Sequence, residues 1–422
     1  MNDRRLHVLT SIGTRLAIGA YPLVFVLAFG WIYGRQAFAA AAAANNWASY
    51  LNILLLAGFV LVPPAVVRLR DSTGGTEDRA FVRNHIALKQ RLLLTGTVGA
   101  LALWAAIGRA FPALGGQAGA ALDTWYLLFA VLALAQLPLM LWLGVAQAAG
   151  RYRQTFVWVV MPRGAALVVL LIGAAAGAGP TSMLAAAVAI IVAGQLALGR
   201  TARRALDEID ERILRDRGYA AGVLAKNLSA GAIGLVGTLV TIVPVTIVGR
   251  LLPSEVGQAH VIVALSNAVG AVVVAAFFPL SLTLAEKAHE PNGLWRHCVQ
   301  VARGVAGITT ILIVVGWLAY PACSWLTDAC TINLFTAASL VAIGAGLRLG
   351  ALGAYHAAVY QGHPHYSLLS ATAEAIAVTG LTWWLLSTWK LYALGAAFVV
   401  GGALRLLIAL GYETRLLTDR AR

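Results

Sequence analysis

Residues 155–178 read TFVWVVMPRGAALVVLLIGAAAGA and residues 181–199 read TSMLAAAVAIIVAGQLALG: two long apolar runs separated only by Gly179 and Pro180. Charged residues then crowd into 200–226, RTARRALDEIDERILRDRGYAAGVLAK. A helix needs about 20 apolar residues to cross a hydrocarbon core of about 30 Å, and each of these runs is of that size. Backbone polar groups in lipid must be satisfied within the protein, which leaves helices and closed barrels. The period-two alternation of a barrel strand is absent here, so the pair reads as two membrane helices and a short turn.

Working outward, the same pattern fills the chain. Spans are predicted at 10–33, 39–66, 91–110, 122–148, 155–178 and 181–199, then at 227–249, 258–284, 303–321, 332–356, 366–388 and 392–412. Hydrophobic residues make up 60% of the 422 and charged ones only 11%, too few to cover a water-soluble protein of this length. A charge at the bilayer centre costs about 2.5–3.5 kcal/mol, so charges belong in the connections. The fold class that follows is an all-α membrane protein of about twelve transmembrane helices.

Lys and Arg set the orientation. With the N-terminus in the cytoplasm, 23 of the 31 basic residues fall in cytoplasmic loops, helix ends and tails. Arg35, Arg109, Arg250 and Lys390 fall outside, and Arg15, Arg163, Arg348 and Arg405 fall within helices. That bias makes both termini cytoplasmic and explains the net charge of +14 without nucleic acid, since the basic residues form no groove or known module. Arg4, Arg5 and Ala37-Phe38-Ala39 around the first apolar run also suggest a signal peptide. The run from Leu16 to Gly34 is long for one and contains Pro22, so it is taken as the first membrane helix. Cys323 and Cys330 flank the external turn CSWLTDAC. In an oxidising compartment they are a candidate disulfide; two independent apolar cysteines are the equal alternative.

A shift of 215 residues places each predicted helix of the first half over one of the second, aligning Gly34-Arg35 with Gly249-Arg250, Asn52 with Asn267 and Pro64 with Pro279. Six helices per half preserve orientation, so the repeat is parallel. The expected organisation is an N-lobe at 1–199, a cytoplasmic linker at 200–226 and a C-lobe at 227–422.

Ionisable residues inside a membrane are functional candidates. Here they are four arginines and one acid, Glu374. All lie about six to nine residues from a cytoplasmic helix end, roughly 9–13 Å deep. Arg15 and Arg405 are shallow enough to snorkel. Arg163 and Arg348 are deeper and are candidate substrate-binding residues. Glu374 and Arg348 share a depth on neighbouring helices, which gives a structural salt bridge or, alternatively, a protonation site coupled to H⁺ or Na⁺. The excess of arginine favours an anionic cargo group such as phosphate or pyrophosphate. Asn45, Asn46, Asn52, Asn227 and Asn267 offer amides to sugar hydroxyls or to other helices. No Walker A, H-E-x-x-H or G-x-S-x-G motif occurs, predicted external loops are short, and His363-Pro364-His365 lacks a third metal ligand. No cofactor is expected, and a transporter is favoured over an enzyme.

Three segments carry a family resemblance: FGWIYGRQAFAAAAAANNWASYLNILLLAGF at 29–59, VGRLLPSEVGQAHVIVALSNAVGAVVVAAFFPLSLTLAE at 248–286, and LGVAQAAGRYRQ at 143–154. With the helix number and spacing, they resemble the polysaccharide and oligosaccharide flippases of the MOP superfamily, which also holds the MATE exporters and the lipid II flippase. The resemblance implies a MATE-like fold of two six-helix lobes in the bacterial inner membrane. It implies a cavity lined prominently by helices 1, 2, 7 and 8, and a lipid-linked saccharide cargo, typically undecaprenyl-pyrophosphate-linked, moved to the periplasmic leaflet for surface polysaccharide synthesis. Polysaccharide polymerase and export proteins are the expected partners, besides membrane lipids. Arg15, Asn52 and Asn267 are the site residues that the resemblance points to; Arg163, Arg348 and Glu374 rest on charge. Helix 1 lacks the acid common in MATE exporters, which favours the saccharide branch. A MATE-type exporter of small molecules is the alternative, and a membrane glycan-processing enzyme a third reading.

The orientation is directly testable. With the native cysteines replaced by serine, Arg212→Cys is expected to react with an impermeant maleimide only in opened cells, and Lys390→Cys in intact ones. The opposite pattern would invert the topology.

Overall fold

The computed structural model describes residues 3–51, 62–110, 116–215, 222–267, 269–270, 273, 291–326, 331–354 and 364–420. It is helical throughout, with no strand among the described residues. The elements are α1 (Asp3–Ala48), α2 (Val62–Arg70), α3 (Thr76–Ala110), α4 (Gly116–Ala148), α5 (Tyr152–Ala175), α6 (Pro180–Ile209), α7 (Arg212–Arg215) and α8 (Gly222–Leu251). A 3₁₀ turn, Pro253–Glu255, leads into α9 (256–267). Then follow α10 (Pro291–Leu326), α11 (Ile332–Gly350), α12 (Pro364–Trp389) and α13 (Leu391–Arg420).

Several helices outrun their predicted spans. Thr76 opens α3 well before residue 91, α6 runs to Ile209 instead of 199, and α10 starts at Pro291 instead of 303. Apolarity marks where lipid begins, whereas Arg, Lys and Glu are good helix formers that carry the same helix into water. Arg200–Ile209, read from sequence as the start of a linker, is therefore the last part of α6. The predicted break between the first two helices is a single residue, Gly34 (φ 86°, ψ 175°), inside α1. Glycine enters that region without the Cβ penalty that other residues meet.

The chain forms two compact units, one of residues 1–21 and 25–235 and the other of 22–24 and 236–422. In the first unit, Gly177 (φ 75°) turns the chain between α5 and α6. A Cβ on Gly194 would run into Pro162 and the Trp158 carbonyl, so glycine is what lets α6 lie against the proline of α5. An aromatic ladder, Tyr21, Phe25, Phe29 and Tyr33, runs along one face of α1 at four-residue spacing, with Trp125 of α4 edge-on to Phe29 at 5.3 Å. At the basic end, Arg68–Asp78 (2.5 Å), Arg79–Asp210 (2.7 Å) and Arg151–Glu208 tie together the residues around α2, α3, α5 and α6. In the turn after α2, the Arg70 guanidinium holds the exposed Asp71 carboxyl below its ordinary value.

In the second unit, α13 packs on α11 and α12 through glycines. A Cβ on Gly344 would strike the Phe398 backbone, one on Gly402 the backbone of Gly344, and one on Gly401 the side chain of Val378. Small residues of this kind allow close helix approach in membranes, where no hydrophobic force drives helices together.

The outer faces are apolar at helical period. Leu94, Val98 and Leu101 on α3, and Ile311, Val314, Val315 and Leu318 on α10, are exposed, Leu318 to 76%. Stripes this large on a water-soluble protein would drive aggregation, whereas lipid accepts them. Nine helices among the described residues are long and apolar enough to cross a membrane. The protein is a multi-pass membrane protein. Gly344→Ala or Gly402→Ala is expected to cost about 1–3 kcal/mol through overpacking. Gly380→Ala, which meets open space, is expected to cost nothing. Unfolding in detergent measures both, and equal losses would contradict this packing.

Candidate functional site

Close packing of α11, α12 and α13 determines where the deepest charges of the second unit meet. Arg348 follows Gly344 by one turn on α11, and Arg405 follows Gly401 by one turn on α13. Both reach Glu374 of α12, whose side chain is only 1% exposed. Arg405 Nη1 donates to Glu374 Oε2 at 2.6 Å. Arg348 Nε stands 3.8 Å from Oε1, and its Nη2 donates to Ser266 Oγ on α9 at 3.2 Å. One carboxylate thus serves two guanidiniums and the group carries one net positive charge. The two arms differ: Arg405 makes a short charge-assisted hydrogen bond, whereas Arg348 makes a long ion pair and holds a neutral hydroxyl.

The sequence expectation for this group was partly incomplete. Arg348 and Glu374 are paired, as their common depth suggested, but Arg405, read as a snorkelling side chain, is the tighter partner. Its side chain is 15% exposed and points to Glu374. The signal was present in the near-equal depth of all three residues.

In the first unit, Arg163 of α5 is buried, 5% exposed, one residue after Pro162. Its Nη1 donates to the carbonyl of Val159 in its own helix at 2.8 Å. The guanidinium carbon lies 5.9 Å from the centre of the Tyr21 ring on α1, a cation–π contact. Among the described residues, the buried Tyr21 hydroxyl has no hydrogen-bond partner. No carboxylate within salt-bridge distance of Arg163 is found among the described residues. The arrangement is a buried guanidinium beside an aromatic face.

Arg15 lies on α1, Asn267 ends α9 and is exposed, and Asn52 lies outside the described residues. Cys323 lies on α10, while Cys330 is outside the described residues.

The chain matches no family model and no curated protein by sequence. Its fold is that of MATE-type transporters of the MOP superfamily. A multidrug resistance MATE transporter in its outward-facing conformation superposes with a TM-score of 0.65 at 14% identity, over 98% of this chain and 96% of that one. The bent form of the Vibrio cholerae MATE transporter VcmN gives 0.61 at 15% identity, over 98% and 96%. A MOP superfamily transporter from Pyrococcus furiosus, described as having a binding pocket of reversed polarity that suggests a different function, gives 0.57 at 13% identity, over 97% and 96%.

The charge group has a measurable asymmetry. Glu374→Gln leaves two buried guanidiniums without a carboxylate and is expected to destabilise the protein by about 3–5 kcal/mol. Arg348→Gln is expected to cost distinctly less, since the 2.6 Å bond to Arg405 remains. Chemical unfolding in detergent ranks the variants, and the reverse order would contradict the asymmetry.

Proposed function

We propose that this chain is a secondary transporter that exports small organic molecules across the inner membrane of a bacterium by alternating access. What carries this reading is the correspondence, over nearly the whole chain in both directions, with multidrug MATE transporters. The absence of ATP-binding and common hydrolase motifs supports transport driven by an ion gradient, with H⁺ or Na⁺ as coupling ion, over an enzyme. Glu374 is the proposed coupling residue. Protonation would weaken its hold on Arg348 first, because that ion pair is the longer, and Arg348 would then be released toward an anionic group of the cargo.

A second reading is favoured by one specific observation, the buried Arg163 without a carboxylate among the described residues. A cation exporter gains nothing from a fixed positive charge in its membrane domain. A flippase moving an undecaprenyl-pyrophosphate-linked oligosaccharide would use it, with Arg15, Arg348, Asn52 and Asn267 as further substrate contacts and polysaccharide polymerase and export proteins as partners. The reversed pocket polarity described for the Pyrococcus furiosus transporter is a precedent for such a change of charge on this fold.

Deletion of the gene separates the two. The exporter reading predicts increased sensitivity to small organic toxicants, restored by the wild-type chain but not by Glu374→Gln, with lipid-linked saccharides normally distributed between leaflets. Accumulation of lipid-linked saccharide on the cytoplasmic leaflet, relieved by wild type and not by Arg163→Gln, would overturn it in favour of the flippase.

A further inference from the structure

A second cationic centre lies in the first unit, apart from Arg163. Lys89 of α3 is only 4% exposed, and its ammonium sits 4.6 Å from the centre of the Trp142 ring on α4. The guanidinium carbon of Arg203 on α6 stands 5.4 Å from the same indole. Gly199, one turn before Arg203, makes room for the ring: a Cβ there would come within 3.2 Å of Trp142 Cδ1. Trp142 is itself buried, and Arg203 is exposed.

Two cations therefore share one aromatic ring, and neither forms an ion pair among the described residues. The neighbouring acids that do pair are engaged elsewhere, Glu208 with Arg151 and Asp210 with Arg79. A lysine at a membrane boundary ordinarily snorkels into water, but Lys89 stays beneath the surface. A ring face offsets only part of the cost of burying an ammonium, and a second cation on that ring adds repulsion. Among the described residues, the site lacks an anion.

Depth identifies the source of that anion. Lys89 precedes Leu94, which is 72% exposed and begins the lipid-facing stripe of α3, by five residues, about 7.5 Å along the helix. Arg203 follows the exposed Leu196 of α6 by seven residues, about 10 Å. Both cations thus stand just beyond the apolar stripes, at the level of lipid phosphates, on the side that Lys and Arg mark as cytoplasmic. We infer that Lys89, Trp142 and Arg203 form a binding site for the phosphate of an anionic membrane lipid in the cytoplasmic leaflet. Arg203 captures the phosphate from outside, and Lys89 neutralises it from beneath the indole.

The test uses the full-length protein in neutral detergent, with thermal unfolding followed during titration with short-chain phosphatidylglycerol. Phosphatidylcholine of the same chain length, inorganic phosphate and sodium chloride at matched ionic strength are the comparisons. A saturable rise in Tm with phosphatidylglycerol and none with the others is expected. Arg203→Gln and Lys89→Gln should each raise the half-saturating concentration about fivefold. Arg212→Gln, an exposed cation away from the indole, should leave it unchanged. If Lys89→Gln does not fold, Arg203→Gln carries the test. An equal rise with phosphatidylcholine or sodium chloride, or an equal loss in Arg212→Gln, overturns the site. A rise with inorganic phosphate but not with phosphatidylglycerol overturns the lipid as its source and leaves a free phosphate in its place.

Discussion

In a hydrocarbon environment, a polar group that finds no partner inside the protein finds none at all, and that constraint organises this molecule at two levels. At the level of the backbone it makes every described membrane segment helical. At the level of side chains it makes each membrane charge costly enough that the surrounding packing must answer it. Around Glu374 the answer is a tight glycine-lined contact of three helices, close enough for Arg348 and Arg405 to reach one carboxylate. Around Arg163 it is a carbonyl of the helix itself and the face of Tyr21.

The two units therefore hold charge differently. In the second, one carboxylate, Glu374, is shared by two guanidiniums through a pair of unequal contacts. In the first, Arg163 is a buried guanidinium with no carboxylate within salt-bridge distance among the described residues. A transporter of cations would be expected to concentrate acids at these depths. The described membrane helices hold one carboxylate at that depth, and it is already bracketed by arginines. Among the described residues, the charges at these depths are therefore mostly positive.

Much of the fold was legible in the sequence because lipid imposes a simple code. Apolar runs of spanning length gave the helices. Helix ends were not legible: the stretch from Arg200 to Ile209 is polar, yet it remains helical because its residues favour helix in water as well. The break at Gly34 was foreseen as a loop but is one residue wide, since a single glycine with positive φ suffices. At the candidate site, depth alone paired Glu374 with Arg348. The stronger partner, Arg405, was missed because depth does not say which way a side chain turns; the contact glycines Gly344, Gly401 and Gly402 on the helices that carry the arginines were the overlooked clue. The indole of Trp142 with its two cations was invisible, since Lys89, Trp142 and Arg203 are far apart in sequence and meet only when α3, α4 and α6 pack.

The central claim is that this chain moves a cargo by using an ion gradient, with membrane arginines engaged in the transport cycle. Purified protein in liposomes, loaded with a fluorescent organic anion and subjected to an imposed proton or sodium gradient, tests it most directly. The account predicts gradient-dependent flux that falls at least about tenfold in Arg348→Gln, as expected when a charge-assisted contact is lost. Flux in Arg348→Gln equal to that of wild type, or no flux under either gradient, would contradict it.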